Sequence, residues 1–197
     1  MASPTTHPGV GRPVVTSRAE IERVAFHLFI ENGFVSTTLD DIASAAGIGR
    51  RTLLRYYRSK NDIPWGQFDD TLDGFRESLR SYADRPVQEA VHRAVIDFNR
   101  FPAAAMAEHR VRMRLILTTP ELQAHSVLRY ADWRRVIAEY VAERTGTDPE
   151  ALLPQTASQV ALALSMTGYG EWLADEHADL PAVLERALLT MRSYLAD

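Results

Sequence analysis

Between Thr38 and Tyr57 the chain has room for two short helices joined by a tight turn, and for little else. Thr38-Leu39-Asp40-Asp41 offers a hydroxyl that can cap a helix and two carboxylates in its first turn, where the helix dipole favours negative charge. Leu39, Ile42, Ala43 and Ala46 then fall on one face, and Gly47 ends the run. After Ile48-Gly49 a third helix is expected from Arg50 to about Tyr57. Ala43 is small enough for two helices to cross closely, Gly47 supplies the backbone bend, and Ile48 and Leu53 can fill the angle between them.

The surroundings extend this pattern into an all-α head. Ser17-Arg18-Ala19-Glu20 has the wording of a capping box, followed by Ile21, Val24, Ala25, Leu28 and Phe29 at the spacing of one helix face, with Gly33 as a stop. Ser59-Lys60-Asn61-Asp62 is a further capping box, expected to open a fourth, longer helix through Phe68, Leu72, Phe75 and Leu79. Residues 1–16, with Pro4, Pro8, Gly9, Gly11 and Pro13 among Thr and Ser, cannot bury enough apolar surface to order themselves and are expected to form a flexible arm. The expected division is therefore an arm over 1–16, a helix-turn-helix domain over 17–62 and a second helical domain over 63–197.

Charge is distributed unevenly over this plan. The 197 residues carry a formal net charge of −4, yet the segment through residue 62 holds eight cations against six carboxylates, and the window from Ile48 to Asn61 holds Arg50, Arg51, Arg55, Arg58 and Lys60 with no carboxylate. Overall acidity argues against a general polyanion binder, whereas a compact basic segment is the footprint of a local one. On an isolated helix such cations would form a solvated face. Inside a capped helix-turn-helix they are placed for DNA, since a helix fits the major groove and Arg reads guanine edges by bidentate hydrogen bonds. Thr38, Tyr56 and Lys60, at or beside helix ends, suit the flanking phosphates. Of the paired tyrosines, Tyr57 is expected to pack on the first helix and Tyr56 to reach phosphate. Arg12, alone in the arm, could enter a minor groove but reads more simply as a solvated side chain.

The stretch from Phe26 to Trp65, FHLFIENGFVSTTLDDIASAAGIGRRTLLRYYRSKNDIPW, resembles the DNA-binding head of the TetR family of bacterial transcriptional regulators. Within that family the wording RRTLLRYYRSKNDIPWGQFD is similar to regulators associated with mycofactocin biosynthesis clusters. The resemblance implies a three-helix head, a helical ligand-binding and dimerisation body, a homodimer through the last two helices, and repression of a palindromic double-stranded DNA operator relieved by a small-molecule effector. Carried over by position, it puts phosphate contacts on Thr38, Tyr56 and Lys60 and base reading on Arg50, Arg51, Thr52 and Arg55. Gly49 departs from the pattern, standing where many relatives have a capping Ser or Thr, which implies a slightly looser start to the recognition helix. The narrower resemblance implies a long-chain acyl-coenzyme A as effector.

Downstream the pattern stays helical. Pro86, Pro102, Pro120, Pro149 and Pro181 stand at or near expected helix starts, where a missing amide hydrogen costs little. Stripes follow at Val87, Val91, Val95 and Phe98, at Val111, Leu115 and Ile116, and at Leu128, Trp133, Ile137 and Val141. Phe101, Met106, Met113, Leu117, Trp133, Tyr169 and Trp172 are candidates to line an apolar effector pocket, with Arg110 and Arg114, four residues apart on one face, available to an anionic head group. Ala157, Val160, Ala161, Leu164 and Gly168 on the penultimate helix, with Leu184, Leu188, Met191 and Leu195 on the last, form small and apolar stripes suited to a four-helix dimer bundle or to closing the protomer core.

Other classes are disfavoured. The chain contains no cysteine, which excludes disulfide scaffolds, thiolate metal sites and cysteine nucleophiles. His27, His92, His109, His125 and His177 form no recognised ligand spacing, so neither a metal nor another cofactor is expected beyond an effector. No apolar run approaches a membrane span, and the first residues lack a basic-then-apolar leader, so a cytoplasmic protein with no membrane partner is expected. An enzyme is not expected; the competing readings are a helical ligand-binding adaptor or an enzyme without operator binding.

Overall fold

The computed structural model describes residues 17–66 and 68–196. The arm expected over 1–16, with Arg12, lies outside the described residues. Among the described residues the regular structure is helical throughout, and the chain divides into two compact units between Ile63 and Pro64.

In the first unit, α1 (Arg18–Asn32), α2 (Leu39–Ala45) and α3 (Arg50–Tyr56) follow the stop and start signals closely. Ser17 caps α1 by accepting the Glu20 amide at 3.2 Å, but only half of the anticipated box forms, because the Glu20 carboxylate takes the Arg23 guanidinium instead. Ile21, Ala25, Phe26 and Phe29 of α1 are buried, as are Phe34, Ile42, Ala43 and Leu53. Phe29 and Phe34 lie 4.9 Å apart between ring centroids. Burial of each large side chain contributes on the order of 1.5–3 kcal/mol, so a head this small depends on nearly all of them.

The fourth helix departs from expectation. The Asp62 carboxylate accepts the Ser59 amide at 2.9 Å as expected, but the Ser59 hydroxyl donates to that carboxylate and the Asp62 amide goes to the Ser59 carbonyl, and what opens here is a 3-10 helix, Lys60–Trp65, and not a long α-helix. Pro64 explains the break: it has no amide hydrogen to donate, and its ring would clash with the carbonyl of Lys60 in α geometry. The α-helix α4 (Phe68–Ser81) starts only after Gly66.

In the second unit, α5 (Val87–Phe98), a 3-10 turn (Ala103–Ala105), α6 (Met106–Thr118), α7 (Pro120–Thr145), α8 (Leu152–Ala174) and α9 (Leu180–Ala196) complete the fold. Pro86 precedes α5, Pro120 opens α7, and Pro154 falls in the first turn of α8, all positions that lose no helical hydrogen bond. Two buried clusters form. One joins α4, α5 and α7, with Phe75 stacked on Trp133 at 5.3 Å. The other joins α6, α8 and α9 around Met113, Ile116, Tyr169, Trp172, Val183 and Leu184, with Trp65 among its members. Leu128, expected in the α7 stripe, is 70% exposed.

Candidate nucleic-acid interface and effector region

Thr38 sets the direction of α2. Its hydroxyl oxygen accepts the Asp41 amide at 3.1 Å while the Asp41 carboxylate accepts the Thr38 amide at 2.8 Å, a complete capping box. Those hydrogen bonds, led by the Thr38 hydroxyl, hold the Asp41 carboxyl below its ordinary value. At the turn, the amides of Ala46, Gly47 and Ile48 donate back to Ile42, Ser44 and Ala43, and Gly47 takes φ 65°, which a residue with a Cβ adopts only with strain. Gly49 then starts α3 with its carbonyl, accepting from Thr52 at 2.8 Å and Leu53 at 3.1 Å, and no side chain caps this end.

The orientation of α3 follows from Leu53, which is completely buried. Two residues before it and two after, Arg51 and Arg55 stand on the opposite face and are exposed, one turn apart. Thr52 and Tyr56 are half-buried at the edge of that face. Arg50 is exposed but pairs with Asp40 at 2.5 Å, which steers its guanidinium toward the start of α2. Tyr57 is buried and donates its phenol hydrogen to Glu22 at 2.6 Å, tying the end of α3 to α1.

Lys60 is placed differently from its expected phosphate role. Its ammonium donates to the carbonyls of Phe34 at 2.6 Å, Thr37 at 2.8 Å and Val35 at 3.2 Å, and lies 4.5 Å from the centre of the Phe34 ring. A cation among carbonyls at the end of the α1–α2 connection satisfies backbone acceptors that no helix serves. It thereby holds the loop that presents Thr38.

In the second unit the apolar candidates divide. Met106, Met113, Leu117, Tyr169 and Trp172 belong to the cluster between α6, α8 and α9, whereas Trp133 belongs to the other cluster, so the expected single lining does not include it. Phe101 lies at the surface, stacked on the His109 ring at 3.9 Å. Arg110 sits 4.0 Å from the Trp172 ring centre and donates to the carbonyls of Trp172, Asp175 and Glu176, while Arg114 reaches the Leu173 carbonyl at 3.5 Å. Both guanidiniums thus serve the negative end of the α8 dipole. Arg112 points elsewhere, to the Pro64 carbonyl at 3.0 Å and to Glu108.

The dimer candidates also need revision. Ala161, Gly168, Leu184 and Leu188 are buried inside the protomer, so they close its own core; a Cβ on Gly168 would stand 2.7 Å from Leu184 Cδ2. Ala157, Val160, Leu164 and Met191 are half-buried, and Leu195 is exposed.

Sequence reasoning passed over one polar chain. Buried His109 Nε2 lies 2.9 Å from the Tyr169 hydroxyl, which donates to Asn99 Oδ1 at 2.6 Å, and Asn99 in turn donates to the Val95 carbonyl at 2.7 Å. Burial, reinforced by the Arg112 charge, lowers the His109 pKa to about 4, and burial pushes the Tyr169 phenol up. Residues separated by 60 and 70 positions leave no local signal, so only the packing of α5, α6 and α8 could disclose this chain.

Residues 21–63 match the family described as bacterial regulatory proteins, tetR family, and residues 85–196 match the family described as MftR C-terminal domain. The chain belongs to the TetR family. This TetR-family transcriptional regulator is 44% identical, over 90% of each chain, to a protein of Mycobacterium tuberculosis (strain ATCC 25618 / H37Rv) that bears the name mycofactocin biosynthesis transcriptional regulator MftR. It is 28% identical to the HTH-type transcriptional regulator TcmR of Streptomyces glaucescens, over 93% of this chain and 86% of the other. Its fold is similar to that of Thermus thermophilus FadR, a TetR-family repressor crystallised with lauroyl-CoA, with a TM-score of 0.55 and 23% identity, covering 87% of this chain and 91% of that one. No helix among the described residues is long and apolar enough to cross a membrane, and no cluster of His, Asp or Glu there could hold a metal ion.

Proposed function

We propose that this TetR-family regulator is a cytoplasmic repressor that binds a palindromic operator as a homodimer and is released by a long-chain acyl-CoA, with a mycofactocin gene cluster as its target. The observation that carries DNA recognition is the outward pair Arg51 and Arg55, one turn apart and opposite fully buried Leu53. Arg50 and Thr52 flank that pair as further base-reading residues, while Thr38 at the start of α2 and Tyr56 at the edge of the α3 face take phosphates. Lys60 contributes by holding the loop that carries Thr38.

The 44% identity to the M. tuberculosis protein supports the target, and the lauroyl-CoA complex of the Thermus repressor supports the effector class. Met106, Met113, Leu117, Tyr169 and Trp172 would meet the acyl chain, with Phe101 at the rim and Arg110 and Arg114 toward the charged part of the ligand. The exposed apolar residues Leu189 and Leu195 of α9, with Val160 and Leu164 of α8 and Met191 of α9, supply the dimer face.

Gel-shift titration with the DNA upstream of the protein's own gene tests this reading. Binding there should exceed binding to random duplex by at least the thousandfold typical of specific recognition, and lauroyl-CoA should release it. Equal affinity for both duplexes would remove the regulator reading.

A further inference from the structure

The buried polar groups of the second unit are satisfied almost everywhere: Asn99, His109, Ser126, Ser158, Ser165 and Tyr169 all have hydrogen-bond partners. The exceptions gather in one place. Trp65 Nε1 and Trp172 Nε1 are buried and find no hydrogen-bond partner among the described residues, and the Tyr130 hydroxyl has only the Ser126 side chain to turn to. Trp172 is completely buried, Trp65 is 8% exposed, and Tyr130 stacks edge-on to Trp65 at 5.6 Å, all in the cluster between α6, α8 and α9. Buried donors without acceptors are rare in native proteins and each needs a reason.

The chemistry of the cluster supplies one. An indole nitrogen can only donate, so the complement to two indoles is an acceptor oxygen. The nearest guanidiniums are already engaged, Arg110 with the α8 carbonyls and Arg112 with Pro64 and Glu108, so the complement to these neutral donors is an uncharged oxygen and not a carboxylate. The rest of the wall is apolar and soft: Met106, Met113 and Met166 are three of the five methionines in the chain, and their unbranched side chains rearrange easily around an elongated guest.

We propose that this cluster recognises an apolar ligand through an uncharged carbonyl group, whose oxygen accepts from the indole donors of Trp65 and Trp172. The proposal rests on the ligand-responsive reading above and specifies what the ligand must carry. It also gives the ligand a handle on the chain, because Trp65 ends the 3-10 helix that leads out of the helix-turn-helix unit, and Arg112 holds the neighbouring Pro64 carbonyl. A ligand that hydrogen-bonds Trp65 therefore acts on the segment through which recognition and sensing are covalently linked.

Indole N–H resonances of the full-length protein, followed by nitrogen-15 NMR, test this directly, with Trp→Phe variants assigning the peaks. Saturating 2-octanone should shift the Trp65 and Trp172 indole protons downfield and leave Trp133, which packs in the other cluster, in place. Octane should produce no downfield shift, and octanoate a weaker one than the ketone. Equal shifts with ketone and alkane, no response to the ketone, or a stronger response to octanoate would each overturn the proposal. Trp65→Phe should weaken 2-octanone about tenfold, the effect of one hydrogen bond, and Trp172→Phe gives the same comparison if that variant does not fold. Operator release is read separately by gel shift. Ketone-specific indole shifts without any release would sink the regulatory reading while leaving the site standing.

Discussion

At the residue scale, the arginines of α3 differ in what they are able to do. Arg51 is exposed, whereas Arg50 must first give up Asp40 before it can address a base. Arg51→Ala should therefore relax base preference at a cost of about 1–3 kcal/mol in operator affinity, measured by competition between operator variants. Arg50→Ala should cost less, because a salt bridge offsets part of what the contact contributes. Tyr57→Phe removes the hydrogen bond to Glu22 and leaves a buried carboxylate with one donor fewer. It should destabilise the protein by about 1–3 kcal/mol in urea titration while sparing operator specificity.

At the element scale, helix ends and helix crossings govern behaviour. Lys60 joins the 3-10 helix to the loop before α2 through three carbonyls. Lys60→Ala should weaken binding to every DNA sequence alike, yet change the slope of log affinity against log salt by much less than the roughly 0.9 expected for one lost phosphate contact. A full unit of slope would instead show that the ammonium leaves those carbonyls for phosphate. The crossing of α8 and α9 depends on Gly168, where an added methyl group meets Leu184, itself 1% exposed and unable to swing into solvent. Gly168→Ala should cost about 1–3 kcal/mol by overpacking, read as a lower urea midpoint. The sequence located these helices well because capping hydroxyls, prolines and apolar spacing act within one turn. It missed the break at Pro64 because the wording of a capping box just upstream promised a helix start, whereas the Asp62 amide closes a 3-10 turn on the Ser59 carbonyl.

At the scale of the whole molecule, two properties follow from how the helices are assembled. His109 is buried with a pKa of about 4 against an ordinary 6.5, so the folded protein resists taking up a proton that the unfolded chain accepts. Stability is unaffected by this group above pH 6.5, falls as pH drops below it, and has lost about 3 kcal/mol from this source by pH 4. Urea titrations across that window should show the loss, and His109→Gln should flatten it. The second is an exposed apolar face on α9, where Leu189 and Leu195 are 52% and 69% accessible. If α9 carries the proposed dimer face, Leu189→Arg should shift the sedimenting species from dimer to monomer and weaken operator binding, because two half-sites about 34 Å apart need two heads.

The sequence by itself determined the helices of the head, the outward face of α3 and the family, since caps, glycine turns and apolar periodicity are local and survive without knowledge of the partners. Only tertiary structure decided which stripes face inward. Gly168, Leu184 and Leu188 read as better suited to a partner subunit than to their own core, yet they are buried in the protomer, because an apolar face specifies burial but not what covers it. The same holds for the polar groups: His109, Tyr169 and Asn99 found each other, and Trp65 and Trp172 came together without acceptors, through contacts between helices far apart in the chain. Hydrogen bonds between distant elements depend on distances that no residue spacing encodes.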